Sequence, residues 1–246
     1  QGILWVGSND GQLHLSKNSG RSWENVTKNI NMPPWGTISN IEASKFDKGT
    51  AYISVDLHQM GDFDPYIYKT DNYGKSWEMI SEDIPKSYSS FVHVVREDHQ
   101  VPGILYAGTD NGLYISVDDG KKWTRIKNNL PPAPVYWISL QKRFDDMVVG
   151  TYGRGIYILD DISPFREIAS INGNNPSLLP IQESYRFQSI QSMKSDGTSL
   201  IRGQNPAYGA NLDFFIPNDN IKSLHISIKD GNNKEIRKIV PKKVTV

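Results

Sequence analysis

An eight-residue pattern written three times constrains this chain more than any other feature. It reads Ser16-Lys17-Asn18-Ser19-Gly20-Arg21-Ser22-Trp23, then Thr70-Asp71-Asn72-Tyr73-Gly74-Lys75-Ser76-Trp77, then Ser116-Val117-Asp118-Asp119-Gly120-Lys121-Lys122-Trp123. Every copy carries a hydroxyl, an Asn or Asp two residues later, a glycine two beyond that and an indole three further on. The tryptophans stand 54 and 46 residues apart, near the roughly 40–50 residues of one four-stranded repeat in a radial β-architecture.

The pattern describes a turn that caps itself. An Asn or Asp side chain can bond backbone groups of its own turn, and a hydroxyl two residues earlier can add another such bond. Gly20, Gly74 and Gly120 can take the positive φ that tightens a hairpin, while each tryptophan can cover the turn from the following strand. Ser16, Asn18, Gly20, Trp23, Thr70, Asn72, Gly74, Trp77, Ser116, Asp118, Gly120 and Trp123 are therefore expected to be structural. Asp118 is not expected to be a catalytic acid.

Between these turns apolar residues alternate, β-branched and aromatic types dominate, and no helical period is sustained. Runs at 40–46, 51–55, 66–70 and 76–81 make four short strands around the second octet, and 91–96, 104–108, 113–117 and 122–127 repeat them around the third. A fourth unit offers 135–141, 147–150, 156–159 and 165–168, with Asp160-Asp161-Ile162-Ser163-Pro164 where an octet is due. The first unit begins at 3–6 and lacks its innermost strand. The expected fold is all-β: about four blades of four-stranded antiparallel sheet, part of a β-propeller that closes at typically four to eight blades. Closure then calls for further blades N-terminal to Gln1.

After residue 170 the texture turns to Ser, Asn, Gln, Gly and Pro, as in Asn172-Gly173-Asn174-Asn175-Pro176. The blades are thus expected over 1–169, a linker over 170–184 and the start of a second β-domain over 185–246. Its strands fall at 185–188, 211–216, 223–229 and 235–240, with Asp230-Gly231-Asn232 turning the last pair.

Composition removes several functions. Lys plus Arg and Asp plus Glu number 27 each, so no global positive field draws the chain to nucleic acid. The absence of cysteine removes disulfides, thiolate metal sites and cysteine nucleophiles. No apolar run reaches the roughly 18 residues of a membrane span. Neither a phosphate-binding glycine loop nor a Gly-x-Ser-x-Gly elbow is present, and neither cofactor nor dedicated metal site is expected.

Propeller ligands sit over one face, on loops leaving the inner strands. The connection 56–66 carries Asp56, His58, Asp62 and Asp64 and is far longer than its counterparts at 109–112 and 151–155, and long loops in compact domains usually carry function. Such a cluster suits a divalent ion, an acid/base pair with Asp62 and Asp64 as candidates, or simply a solvated loop. Trp35, after Pro33 and Pro34, is either a platform for sugar or peptide or an inter-blade packer; Trp137, entering a strand, is expected to pack. His93 and Arg96 share an inner strand and by alternation face opposite sides. Arg154, between Gly153 and Gly155, either clamps a carboxylate or phosphate or pairs with Asp160 or Asp161.

The octets resemble the Asp-box, or BNR, repeats of sialidases, of xyloglucan-degrading two-propeller enzymes and of sortilin/Vps10 receptors. A closer likeness runs through Met32-Pro33-Pro34-Trp35-Gly36, Ile41-Glu42-Ala43-Ser44, Pro65-Tyr66-Ile67-Tyr68-Lys69-Thr70, Val92-His93-Val94-Val95-Arg96-Glu97-Asp98, Gly153-Arg154-Gly155-Ile156-Tyr157-Ile158-Leu159-Asp160-Asp161-Ile162-Ser163-Pro164 and Asn205-Pro206-Ala207-Tyr208-Gly209-Ala210. These resemble the C-terminal half of large exported bacterial proteins labelled glycosyl hydrolase or sortilin-like, over nearly the whole chain. The resemblance implies a secreted, periplasmic or outer-surface protein of a bacterium. It also implies an immunoglobulin-like or FlgD-like sandwich beginning in 185–246. Tyr136 and Tyr152 stand where that family's pattern has histidines, which weakens a histidine mechanism there and leaves Tyr152 as a ligand-facing candidate. A sialidase needs an arginine triad, for which Arg96 and Arg154 alone are at hand. The expected role is that of a module binding or assembling with a protein or glycan. The alternatives are a glycoside hydrolase using face-loop carboxylates and a sortilin-like peptide receptor.

Overall fold

The computed structural model describes residues 2–127, 129–168, 171, 175–184, 209–217 and 225–240, in two units, Gln1–Ala169 and Ser170–Val246. The first unit consists of antiparallel sheets laid down in chain order. β1 (Leu4–Gly7), β2 (Leu13–Ser16) and β3 (Glu24–Asn25) form one sheet. β4 (Thr37–Ala43), β5 (Ala51–Asp56), β6 (Tyr66–Thr70) and β7 (Glu78–Met79) form the second. β8 (Val92–Glu97), β9 (Leu105–Thr109), β10 (Gly112–Ser116) and β11 (Thr124–Ile126) form the third, and β12 (Val135–Gln141), β13 (Asp146–Thr151) and β14 (Gly155–Leu159) the fourth. The first strands β4, β8 and β12 lie side by side.

The core lies between sheets, because side chains alternate across each strand. On β5, Ile53 and Val55 pack with Leu13, Leu15 and Val26 of the first sheet, whereas Tyr52 packs with Val95, Leu105 and Trp123 of the third. On β9, Leu105 and Ala107 face the second sheet, and Tyr106 faces Ile138, Met147 and Val149 of the fourth. The second and third sheets are thus each buried on both faces by their sequence neighbours, the packing of successive propeller blades.

All three octets adopt one hydrogen-bonded form. The hydroxyl of Ser16, Thr70 or Ser116 accepts from the N–H of Gly20, Gly74 or Gly120 at 2.8, 3.0 and 2.8 Å. The side-chain oxygen of Asn18, Asn72 or Asp118 accepts from the N–H of Ser22, Ser76 or Lys122 at 2.9, 3.0 and 2.9 Å. The residue before each glycine is left-handed as well, at φ 60 for Ser19, 61 for Tyr73 and 64 for Asp119. Its N–H reaches back to Gly2, Gly49 or Gly103 at 2.8–2.9 Å, tying the turn to the start of the second strand of its own blade.

The tryptophans work differently from the sequence expectation. Each precedes the short outer strand rather than lying within it, and the contacts of Trp77 and Trp123 run toward the preceding blade. Trp123 is 5% exposed, and its Nε1 donates to Ile80 O at 2.7 Å. Trp77 meets Trp5 edge-on at 5.8 Å. Trp23, with no described blade before it, is 45% exposed. The glycines share this interface: a Cβ on Gly120 would stand 2.7 Å from Ile80, and one on Gly74 3.2 Å from Trp5.

The fourth blade departs from the repeat. Residues 165–168, expected as a strand, belong to α1 (Ser163–Ile168). Pro164 suits a helix's first turn, and Asp161 Oδ1 accepts from Ser163 N–H at 2.9 Å. Phe165 packs against the cluster containing Tyr106. Arg166 grips Asp98 through Nε and Nη2 at 3.0 and 3.1 Å and Asp145 at 3.0 Å. Burial works to raise the Asp98 carboxyl, but Arg166 and the N–H groups of Gln100 and Val101 outweigh it and hold the group below the ordinary carboxylate range.

In the second unit, β15 (Ser177–Leu178) pairs with β16 (Phe214–Phe215), and β17 (Ile226–Lys229) pairs with β18 (Glu235–Ile239). Asp230 Oδ1 caps the latter hairpin by accepting from Asn232 and Lys234 N–H at 2.9 Å. The strand expected at 185–188 and most of the run 205–210 lie outside the described residues.

Two outcomes follow for stability. Gly120→Ala is expected to cost about 2–5 kcal/mol, combining a left-handed penalty of ~1–2 with overpacking of ~1–3. Gly153→Ala, also at positive φ but with nothing within 4 Å of its Cβ, is expected to cost only the first part; urea denaturation of both variants checks the difference. Arg166→Ala strands the fully buried Asp98, an expected loss of about 3–5 kcal/mol near neutral pH. Because the Asp98 pKa is depressed, that loss should shrink as pH falls below about 4.

Candidate ligand-binding face

Each inner strand carries a bulge at the same place. Pairing steps past Ser39 between β4 and β5, past His93 between β8 and β9, and past Tyr136 between β12 and β13. A bulged residue is unpaired and its side chain is re-aimed. The opposite rungs are equivalent too: Val55 pairs with Ile38, Thr109 with Val92 and Thr151 with Val135. The next residues, Asp56, Asp110 and Tyr152, therefore emerge at the same end of successive blades.

There they meet the bulged side chains. His93 Nε2 lies 3.2 Å from Asp110 Oδ1, and the His93 ring stacks on Tyr136 with centroids 3.9 Å apart. Tyr136 meets Tyr152 at 5.5 Å. On the other side Phe91 stands edge-on to His93 at 5.1 Å and stacks with His58 at 4.6 Å. His58 Nδ1 reaches the Asp56 carboxylate at 2.7 and 2.8 Å. The result is a row of rings, His58–Phe91–His93–Tyr136–Tyr152, crossing three blades and edged by two carboxylates.

Burial lowers the His93 pKa, and the Asp110 carboxylate, which acts to raise it, does not restore it. Burial raises the Tyr136 pKa, assisted by Asp110, Tyr152 and Asp56. His93 is therefore neutral and Tyr136 protonated near neutral pH; with His93 and Phe91 buried, it is the half-exposed Tyr136 and the exposed Tyr152 that present ring surface and phenol O–H groups.

The 56–66 loop divides in two. Asp56 and His58 join the row, whereas Asp62 and Asp64 have partners of their own. Asp62 accepts from Tyr66 Oη at 2.8 Å and from Asp64 N–H at 3.0 Å, and Asp64 is ion-paired to Lys86. Both line a groove of about 440 Å3 with Phe63 and Tyr88. Among the described residues no three His, Asp or Glu side chains are grouped to hold a metal ion.

Other singled-out residues take various places. Trp35 is 67% exposed with a left-handed backbone at φ 65. Trp137, expected to pack, is 55% exposed; its strand has a fourth-blade face with no described sheet against it, and the ring lies under the Arg96 guanidinium at 4.3 Å. Arg96 is committed within the protein, donating to Ile138 O at 3.1 Å, Asn40 Oδ1 at 2.9 Å and Glu42 Oε2 at 3.3 Å. It ties three inner strands together, in surroundings different from those of His93. Tyr152 is 71% exposed; Arg154 is exposed and forms no ion pair with a described residue. Sequence reasoning missed Phe91 and Asp110 and did not group Tyr136 with them. The usable signal was positional, since Asp110 follows Thr109 as Asp56 follows Val55, at the same end of equivalent strands.

The family model described as Sortilin, neurotensin receptor 3, matches residues 11–153. Among solved structures, the GH74 xyloglucanase from Xanthomonas campestris is similar at 22% identity and a TM-score of 0.51, over 66% of this chain and 26% of that one. The extracellular domain of a putative one-component system from B. thetaiotaomicron is similar at 18% identity and a TM-score of 0.50, over 65% and 20%. YCF48 bound to D1 peptide is similar at 14% identity and a TM-score of 0.48, over 66% and 49%. This chain spans half or less of each of those structures. No curated protein matches it. No helix among the described residues is long and apolar enough to cross a membrane.

The ring row makes a titration prediction. His93 is expected to titrate below the ordinary histidine value of about 6.5, and Asp110→Asn should lower it further by removing the group that raises it; NMR of the imidazole protons checks both. Because the folded state disfavours the protonated ring, His93 should contribute stability above about pH 6.5 that is lost as pH falls through its folded pKa.

Proposed function

Because the chain belongs to the Sortilin-Vps10 propeller family, we propose that it is part of an extracytoplasmic bacterial propeller that binds a protein or glycan partner on the face carrying the ring row. The observation that carries this reading is the row itself: Phe91 and His93 are buried and support Tyr136 and Tyr152, which are 49% and 71% exposed, with open grooves on the same loops. Such rings offer large rigid contact area at little entropic cost. Asp56, His58, His93 and Tyr152 are contact residues in this reading. Arg154 extends the surface toward the turn after β13, and Arg96 braces it from beneath.

Two further parts of the reading concern the rest of the polypeptide. Additional blades cover Leu4, Val6 and Trp23, which are exposed on the first sheet. Residues 185–246 begin an immunoglobulin-like sandwich, an idea supported by the capped β17–β18 hairpin. The engagement of Asp62 with Tyr66 and of Asp64 with Lys86 favours binding over glycoside hydrolysis. A receptor that captures peptide inside the ring is a narrower form of the same proposal.

Glycan and peptide arrays probed with the intact protein, followed by a hydrolysis screen of whatever is retained, test this. Retention without turnover is expected, weakened about 3- to 10-fold by Tyr152→Ala, the equivalent of roughly 0.5–1.5 kcal/mol for one aromatic contact. Turnover that disappears in Asp62→Asn or Asp64→Asn would overturn it in favour of the hydrolase.

A further inference from the structure

Trp35 stands where two recesses meet. One, of about 330 Å3, is floored by Ile30, Met32, Pro33 and Pro34; the other, of about 320 Å3, is bounded by Asp10, Asp56, Leu57 and Met60. Asp10 and Trp35 border both. Each volume lies at the low end of the roughly 300–1,000 Å3 of small-ligand pockets, which suits one side chain apiece.

The backbone that carries the indole is closely packed. A Cβ on Gly36 would stand 2.4 Å from Val55, and one on Gly11 would stand 2.9 Å from Gly36 O. The chain at 35–36 is therefore wedged between the loop after β1 and strand β5, and Trp35, 67% exposed, stands out from that packed backbone. A backbone already ordered beneath the ring reduces the ordering that remains at binding.

The two recesses differ in chemistry. Two carboxylates and no lysine or arginine line the second one. The Ser8 hydroxyl donates to Asp10 and holds its carboxyl below the usual range, so the charge persists into mildly acidic solution. A cation beside an indole face gains from the ring quadrupole by about 0.5–2 kcal/mol; the Asp10 carboxylate adds a charge-assisted hydrogen bond, and Asp56, itself bonded to His58, adds negative charge nearby. The first recess sets an apolar floor of Ile30, Met32, Pro33 and Pro34 beside the polar side chains of Asp10, Gln12 and Thr27, so the apolar neighbour of a basic residue lies on that floor.

We infer that the double recess around Trp35 captures a peptide segment of a protein partner in which a lysine or arginine adjoins an apolar residue. The basic head lies between Trp35, Asp10 and Asp56, and the apolar neighbour lies over Met32 and the prolines. This rests on the binding reading above and narrows it to one ligand class.

Calorimetry of the intact protein with short glycine-flanked peptides containing Arg-Leu, Glu-Leu or Arg-Ser, and with a neutral β-glucan oligosaccharide, tests it. Arg-Leu is expected to bind at least about tenfold more tightly than the other peptides, and to weaken as salt screens the carboxylates. Trp35→Ala and Asp10→Asn should each weaken it severalfold, and Trp35→Phe should retain part of the affinity. Equal binding of Arg-Leu and Glu-Leu, or indifference to Trp35→Ala, overturns the inference. Oligosaccharide binding that depends on Trp35 also overturns it but leaves the broader binding reading intact. Failure to bind any of the probes, joined to turnover on the arrays, sinks both.

Discussion

The structure depends on a single hydrogen bond made three times, from a glycine N–H to the hydroxyl four residues before it. That bond closes a turn with two consecutive left-handed residues, a conformation that costs about 1–2 kcal/mol for any side chain other than glycine's. Closing the turn brings a Cβ-free surface against the preceding blade, where Ile80 or Trp5 occupies the space. The octet is thus both a hairpin cap and the contact by which one blade seats on the one before it. Further ties cross the same junction: Asn29 Nδ2 donates to Gly74 O at 2.8 Å, and Trp123 N–H to Asp83 Oδ2 at 2.7 Å.

Seating the blades in this way has consequences at the opposite edge of each sheet. Successive inner strands are brought side by side with their bulges level, so Ser39, His93 and Tyr136 occupy equivalent positions. Residues ending the second strands then fall into line beside them. Ser39 uses its place structurally, with its hydroxyl 2.8 Å from Ser54 Oγ and donating to Val92 O at 3.1 Å. Aromatic rings at the other two positions make a continuous surface. The ring row is therefore a product of blade registry, and no single loop could build it.

Much of this was legible in the sequence, for particular reasons. The octets announce themselves because turn chemistry is local: hydroxyl, amide and glycine must keep their spacing for the bonds to form. Alternation in 51–55 and 104–108 reads as strand because both faces are buried. The segment 165–168 misled because four residues are too few to establish a period, even though the i, i+3 spacing of Phe165 and Ile168 suits a helix face, and the deciding contacts, from Arg166 to Asp98 and Asp145, come from distant residues. Trp137 misled because alternation says which side a residue faces but not whether anything covers that side. The pairing of His93 with Asp110, and of Asp56 with His58 under Phe91, needs the bulge and the registry of neighbouring blades, neither of which leaves a local trace.

The central claim is that the octet glycines are locked into the blade interfaces rather than sitting in ordinary surface turns. Residue-resolved amide hydrogen exchange of the native protein measures this at Gly74 and Gly120. Their N–H groups are expected to exchange only with cooperative opening of the blades, with protection matching that of strands β5 and β9. Exchange at the rate of exposed loops, while those strands remain protected, would contradict the account.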